Sequence, residues 1–81
     1  MEGDLQRRLG RNLRAYRQAR GLSQEAFADA VGVHRTYMGG VERGERNLTL
    51  RSVERLAGAL GVDALELLAP DESTAGRPTR R

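Results

Sequence analysis

Three glycines, Gly21, Gly32 and Gly61, each close a stretch in which apolar residues recur every three or four positions. That spacing is the period of an α-helix with one face turned to a core, and a glycine just past it supplies the left-handed residue at which helices commonly stop. Leu5, Leu9, Leu13 and Tyr16, at spacings of four, four and three, mark a first helix with Asp4 as its cap and Gly21 past its end. Ser23 offers an N-cap to a second, with Gln24 and Glu25 in its first turn and Ala26, Phe27, Ala30 and Val31 as its buried positions. Only Gly32 and Val33 separate it from a third segment, from about His34 to Arg43, with Met38 and Val41 as the inward pair. Two short helices joined by so tight a turn form a helix-turn-helix unit. After the polar connection Arg43-Gly44-Glu45-Arg46-Asn47, Thr49 caps a fourth helix carrying Leu50, Val53, Leu56, Ala57 and Leu60. Asp63 and Glu66 have the spacing of a capping box and open a short fifth helix that Pro70 ends. No segment alternates as a strand does, so the expected fold is all-α, with five helices.

Eighty-one residues make one small domain. Residues 1–70 carry the helical pattern; residues 71–81 are polar, contain no Leu, Ile, Val or Phe, and are expected to form a disordered tail. With no cysteine and one histidine, disulfides, thiol catalysis and Cys-ligated metals are excluded, and no cofactor or metal site is expected. There is no nucleophile–base pair and no phosphate-binding loop, so an enzyme is not expected. The longest apolar run, Leu67-Leu68-Ala69, falls far short of the roughly 20 residues that cross a bilayer. With an Arg-rich start lacking an apolar secretory segment, the expected location is the cytoplasm, with no membrane partner.

All 14 basic residues are arginine, against 11 acidic ones, for a net charge of +3. A GC-rich coding sequence explains the absence of lysine as well as function does. Position is more informative. From Leu5 to Arg20 there are six arginines and no acid, a local charge of +6 suited to a polyanion; the plainer reading, an Arg-rich helix that is simply solvated, gives way here because the helix lies beside a helix-turn-helix unit.

Three strings, Leu22-Ser23-Gln24-Glu25, Val31-Gly32-Val33-His34-Arg35-Thr36-Tyr37 and Val41-Glu42-Arg43-Gly44-Glu45-Arg46-Asn47, resemble the lambda-repressor-like, Xre-type helix-turn-helix family over roughly residues 5–69. Arg35-Thr36-Tyr37, with Glu42-Arg43, Arg46-Asn47 and Leu48-Thr49, is most similar to the controller proteins of restriction–modification systems. The resemblance implies a compact five-helix DNA-binding domain that acts as a homodimer on an inverted-repeat operator in double-stranded DNA, with the third helix in the major groove. RNA polymerase is a further candidate partner for such a regulator, whether it represses or activates. An antitoxin-like module that binds another protein and autoregulates its operon is the alternative.

Roles follow residue by residue. Gln24 is placed to meet a phosphate beside the free N–H groups of its helix start, or is an ordinary polar residue there. Arg35 and Thr36 open the third helix, the end that enters the groove: Arg35 suits guanine O6 and N7, or else a phosphate or salt bridge, and Thr36 offers a hydroxyl or a methyl. Tyr37 either turns its hydroxyl to the DNA backbone or packs against the second helix. His34 is an N-cap or a phosphate neighbour. Arg43, Arg46 and Asn47 contact backbone or groove in the controller-like reading, or form a solvated turn. Gly39, with Gly40, costs helix stability that either close approach to DNA or tight packing against the second helix must offset. The resemblance implies that Glu42 turns inward to pair with Arg17, so that its loss first damages folding. Two copies on a two-fold symmetric site, about 34–36 Å apart, are expected, and with Leu65 and Leu68 given to the core, Leu67 and Val62 are left for the dimer contact.

Overall fold

The apolar stripes close over one another in a computed structural model that describes residues 2–70. Its helices are α1 (Asp4–Ala19), α2 (Gln24–Val31), α3 (Arg35–Glu42), α4 (Leu50–Leu60) and α5 (Ala64–Leu67), and among the described residues there is no strand. α3 lies against α1 and α2, α4 packs on α2, and α5 bridges α4 and α1. Leu9 and Leu13 from α1, Phe27 from α2, Met38 and Val41 from α3, Val53, Leu56 and Leu60 from α4 and Leu67 from α5 fill the core.

The helix ends are built from side chains and glycine. Ser23 Oγ accepts the Ala26 N–H at 3.0 Å, and Thr49 Oγ1 accepts the Ser52 N–H at 3.0 Å. Leu48, just before the Thr49 cap, is partly buried against the core to which Val53 belongs, the N′ and N4 positions of a hydrophobic staple. At the end of α1, Gly21 (φ +70°) donates to Gln18 O at 2.9 Å and Leu22 to Arg17 O at 3.1 Å, the paired bonds of a Schellman turn.

Several expected positions shift. Gly3, with no side chain to offer, holds the N-cap position of α1; Asp4 is already helical and pairs with Arg7. Leu5 is 59% exposed, because Gln6 and Arg7, not Leu5, face the chain that covers the first turn. α2 buries Phe27 and Ala28, with Val31 half-buried, while Ala26 and Ala30 are exposed. Leu50 is 79% exposed at the first position of α4, where Leu48 takes the inward place. Asp63 caps α5 through the Leu65 N–H at 2.8 Å, without the reciprocal Glu66 contact of a capping box. Within α5 the core assignment reverses: Leu67 is wholly buried and Leu65 is 74% exposed. Asn12 sets that register by donating from Nδ2 to both Leu67 O and Ala69 O at 2.8 Å. Leu67 therefore cannot serve a dimer contact. Residues 71–81, the expected tail, lie outside the described residues.

Candidate nucleic-acid interface

α3 starts where His34 ends the preceding turn: its Nδ1 accepts the Thr36 N–H at 3.2 Å, which makes His34 the N-cap. Arg35 and Thr36 occupy the exposed first turn beyond it. No other group of the described residues engages the Arg35 guanidinium, so a fork of donors stands free at the open end of a helix whose opposite face, Met38 and Val41, is buried.

At the other end of α3, around Glu42, lies a buried polar network. Arg17 and Glu42 form a two-bond ion pair, Nε to Oε2 at 2.6 Å and Nη2 to Oε1 at 3.1 Å, with side chains 9% and 4% exposed. Arg17 also donates from Nη1 to Leu22 O at 2.7 Å, tying α1 to the start of α2. Gln24 donates from Nε2 to Glu42 Oε1 at 3.0 Å, so the amide is held against α3 instead of swinging freely at the α2 start. One carboxylate thus joins three helices, and the only acid on α3 is turned away from the exposed surface. Removing either charge of such a pair leaves the other buried and alone.

Gly39 and Gly40 are covered chiefly by the arginines that follow α3, with Gln24 at the start of α2 also in contact distance of Gly39. A Cβ on Gly39 would stand 3.1 Å from Arg43 Nη1 and 3.7 Å from Gln24 Oε1; one on Gly40 would stand 3.3 Å from Arg46 Cγ and Nε. The two glycines make a shallow bed along which the arginines of the following loop lie. The Arg46 guanidinium continues over the Tyr37 ring, 5.0 Å from its centroid, and Arg43 Nε pairs with Glu45 Oε1 at 3.1 Å. Tyr37 is half-buried against the core on its other side. The glycine that permits close helix packing is Gly10 in α1, where a Cβ would come within 2.4 Å of Glu42 O and 2.6 Å of Val41 O.

The structure therefore brings Gln24, Gly39, Arg43, Tyr37 and Arg46 together on one surface around α3, with His34, Arg35 and Thr36 at its start. Asn47 is exposed just beyond, held from α1 by Gln6. Gly10 and Gln6 are the residues that pattern reading passed over, and neither carries a local signal, since each acts on a residue more than 30 positions away. The charge of α1 is less uniform than its sequence: Arg17 is spent inside on Glu42 and Arg7 pairs with Asp4, whereas Arg11 and Arg14 are exposed. Val62 is half-buried and Leu65 exposed near the α4–α5 corner. Among the described residues no group of His, Asp and Glu could hold a metal ion, and no helix is long and apolar enough to cross a membrane.

A helix-turn-helix family model, HTH_3, matches residues 13–67. The control protein C.SmaI of Serratia marcescens is 48% identical over 65 residues, spanning 80% of this chain and 77% of that protein. A hypothetical transcription factor from Neisseria, NHTF, superposes with a TM-score of 0.83 at 41% identity, covering 94% of this chain and 87% of its own. The restriction–modification controller protein C.AhdI from Aeromonas hydrophila gives 0.71 at 48% identity, covering 75% and 92%.

Proposed function

The chain belongs to the HTH_3 helix-turn-helix family, with restriction–modification controller proteins among its relatives, and from that premise we propose that it is a sequence-specific DNA-binding regulator acting as a homodimer on an inverted-repeat operator. In this reading α3 enters the major groove. Arg35 reads a guanine through O6 and N7, Thr36 meets the neighbouring base, and Gln24, His34, Arg43 and Arg46 engage backbone phosphates beside them. The observation that carries it is the Arg35 guanidinium, without a partner among the described residues, at the exposed start of a helix that is otherwise locked in place. A single α3 spans too little DNA for useful specificity, which is the argument for two copies. Leu65 replaces Leu67 as the apolar side chain offered to the dimer contact, with Val62 at its edge. A controller protein of a restriction–modification system is the specific form this regulator takes.

The test starts from a pool of random-sequence duplexes enriched by the full chain. Arg35→Ala is expected to weaken binding to the enriched duplex by about 1–3 kcal/mol per half-site, roughly 5- to 150-fold, and to leave binding to random duplex nearly unchanged. Equal loss on both would move Arg35 to phosphate contact and remove the main base reader from the account.

A further inference from the structure

The loop between α3 and α4 is tied to α1 by one amide. Gln6 Nε2 donates to Arg46 O at 2.7 Å and to Asn47 Oδ1 at 2.8 Å, using both of its N–H groups. These partners lie 40 and 41 positions away in sequence, and beside them the turn at Gly44 is pressed so close to Arg7 that a Cβ would meet Arg7 Cγ at 2.8 Å. The chain from Gly44 to Asn47 is therefore laid against the first turn of α1 while Arg46 reaches across Tyr37 and Gly40 of α3.

The direction of the amides follows from the backbone. Arg46 O is a carbonyl and can only accept. A Gln6 amide turned the other way would set Oε1 against it, two acceptors at hydrogen-bond distance, so Gln6 must present its nitrogen. Its second N–H then needs an acceptor from Asn47, and Asn47 must present Oδ1 inward. What Asn47 has left for the solvent side is Nδ2, a donor.

We infer that Gln6 is a positioning residue that fixes the direction of the Asn47 amide and thereby sets which base edge Asn47 recognises. This rests on the DNA-binding reading above. The usual asparagine contact is bidentate to adenine, with the oxygen accepting from N6 and the nitrogen donating to N7. With Oδ1 turned to Gln6 that pairing is denied. Toward the groove Asn47 then offers only donors, which suits guanine N7 and O6 together or thymine O4, leaves adenine a single bond at N7 beside a repelling N6 amino group, and rejects the exposed amino group of cytosine. An exposed asparagine in a polar loop becomes a one-way reader because a residue on another helix turns its acceptor oxygen inward.

The experiment enriches random-sequence duplexes with the wild-type chain and with Gln6→Ala, Gln6→Glu and Asn47→Ala, and records the thermal midpoint of each variant. The base pair whose preference Asn47→Ala abolishes is expected to be guanine or thymine on the contacted strand in the wild-type pool. Gln6→Ala frees the amide, so that position should move to adenine or lose its preference by about 5-fold or more, while binding to random duplex holds. Gln6→Glu offers an acceptor in place of a donor and is expected to change the same position and no other. In a double-mutant cycle Gln6→Ala should add nothing once Asn47→Ala is present. An unchanged preference in Gln6→Ala, additive losses, a wild-type preference for adenine or cytosine, or an Asn47→Ala pool identical to wild type would each overturn the inference. A wild-type pool that enriches no sequence would instead overturn the DNA-binding reading, and the inference with it.

Discussion

One methyl group has opposite consequences at two helical glycines. At Gly10 it would stand 2.4 Å from Glu42 O, a backbone atom that moves only if α1 and α3 separate. At Gly39 it would stand 3.1 Å from Arg43 Nη1, the far end of an exposed and flexible side chain. Gly10→Ala is therefore expected to destabilise by about 1–3 kcal/mol in spite of its better helix propensity. Gly39→Ala is expected to stabilise by up to about 1 kcal/mol, since the propensity gain meets little resistance. Urea unfolding of the two variants checks both signs, and a common sign would contradict the packing described for α3. The residue scale is also where the sequence is least legible. The pairing of Glu42 with Arg17 was legible through the family resemblance; Gly10 sits on a regular stripe between Leu9 and Leu13, and its partner is a carbonyl that no pattern names.

Helix starts and stops were written more plainly. Ser23, Thr49 and Asp63 each accept an N–H from the turn they begin, and Gly21, Gly32 and Gly61 each hold a positive φ past a helix end. These are local devices, in which the residue that acts and the backbone it acts on are a few positions apart. α5 shows the limit. One turn contains no period to read, so the choice between Leu65 and Leu67 falls to Asn12, which grips the end of that turn from α1. Leu5 and Leu50 illustrate the same limit at longer helices, where the stripe continues past the elements that cover it. The cap of α3 gives a prediction at this scale. His34→Ala removes the acceptor for the Thr36 N–H and is expected to cost about 0.5–2 kcal/mol. His34→Asp restores an acceptor and adds a favourable charge at the helix start, so its unfolding midpoint should equal or exceed that of the wild type. If α3 meets DNA as proposed, its affinity for any duplex should nonetheless fall, because the new carboxylate would face phosphate. A His34→Asp variant that binds DNA as well as the wild type would place His34 away from the interface.

For the whole molecule, the five-helix order and the helix-turn-helix unit were legible because each helix announces itself by period and punctuation. The assembled surface was not. Arg43, Arg46, Tyr37 and the two glycines of α3 form one face only because the loop after α3 folds back over it, held by Gln6 and by the close fit of Gly44 on Arg7. The local charge that makes α1 conspicuous in sequence is partly consumed inside, which shifts the support for DNA binding from that charge to the geometry of α3 and its loop. The central claim is that two copies each place the start of α3 in the major groove. Methylation interference tests it most directly, because dimethyl sulfate modifies guanine N7 in that groove. On the enriched duplex two groups of interfering guanines are expected, related by a two-fold axis and centred about 10 bp apart, and both should disappear with Arg35→Ala. A single group, or binding that tolerates methylation of every guanine, would contradict the account.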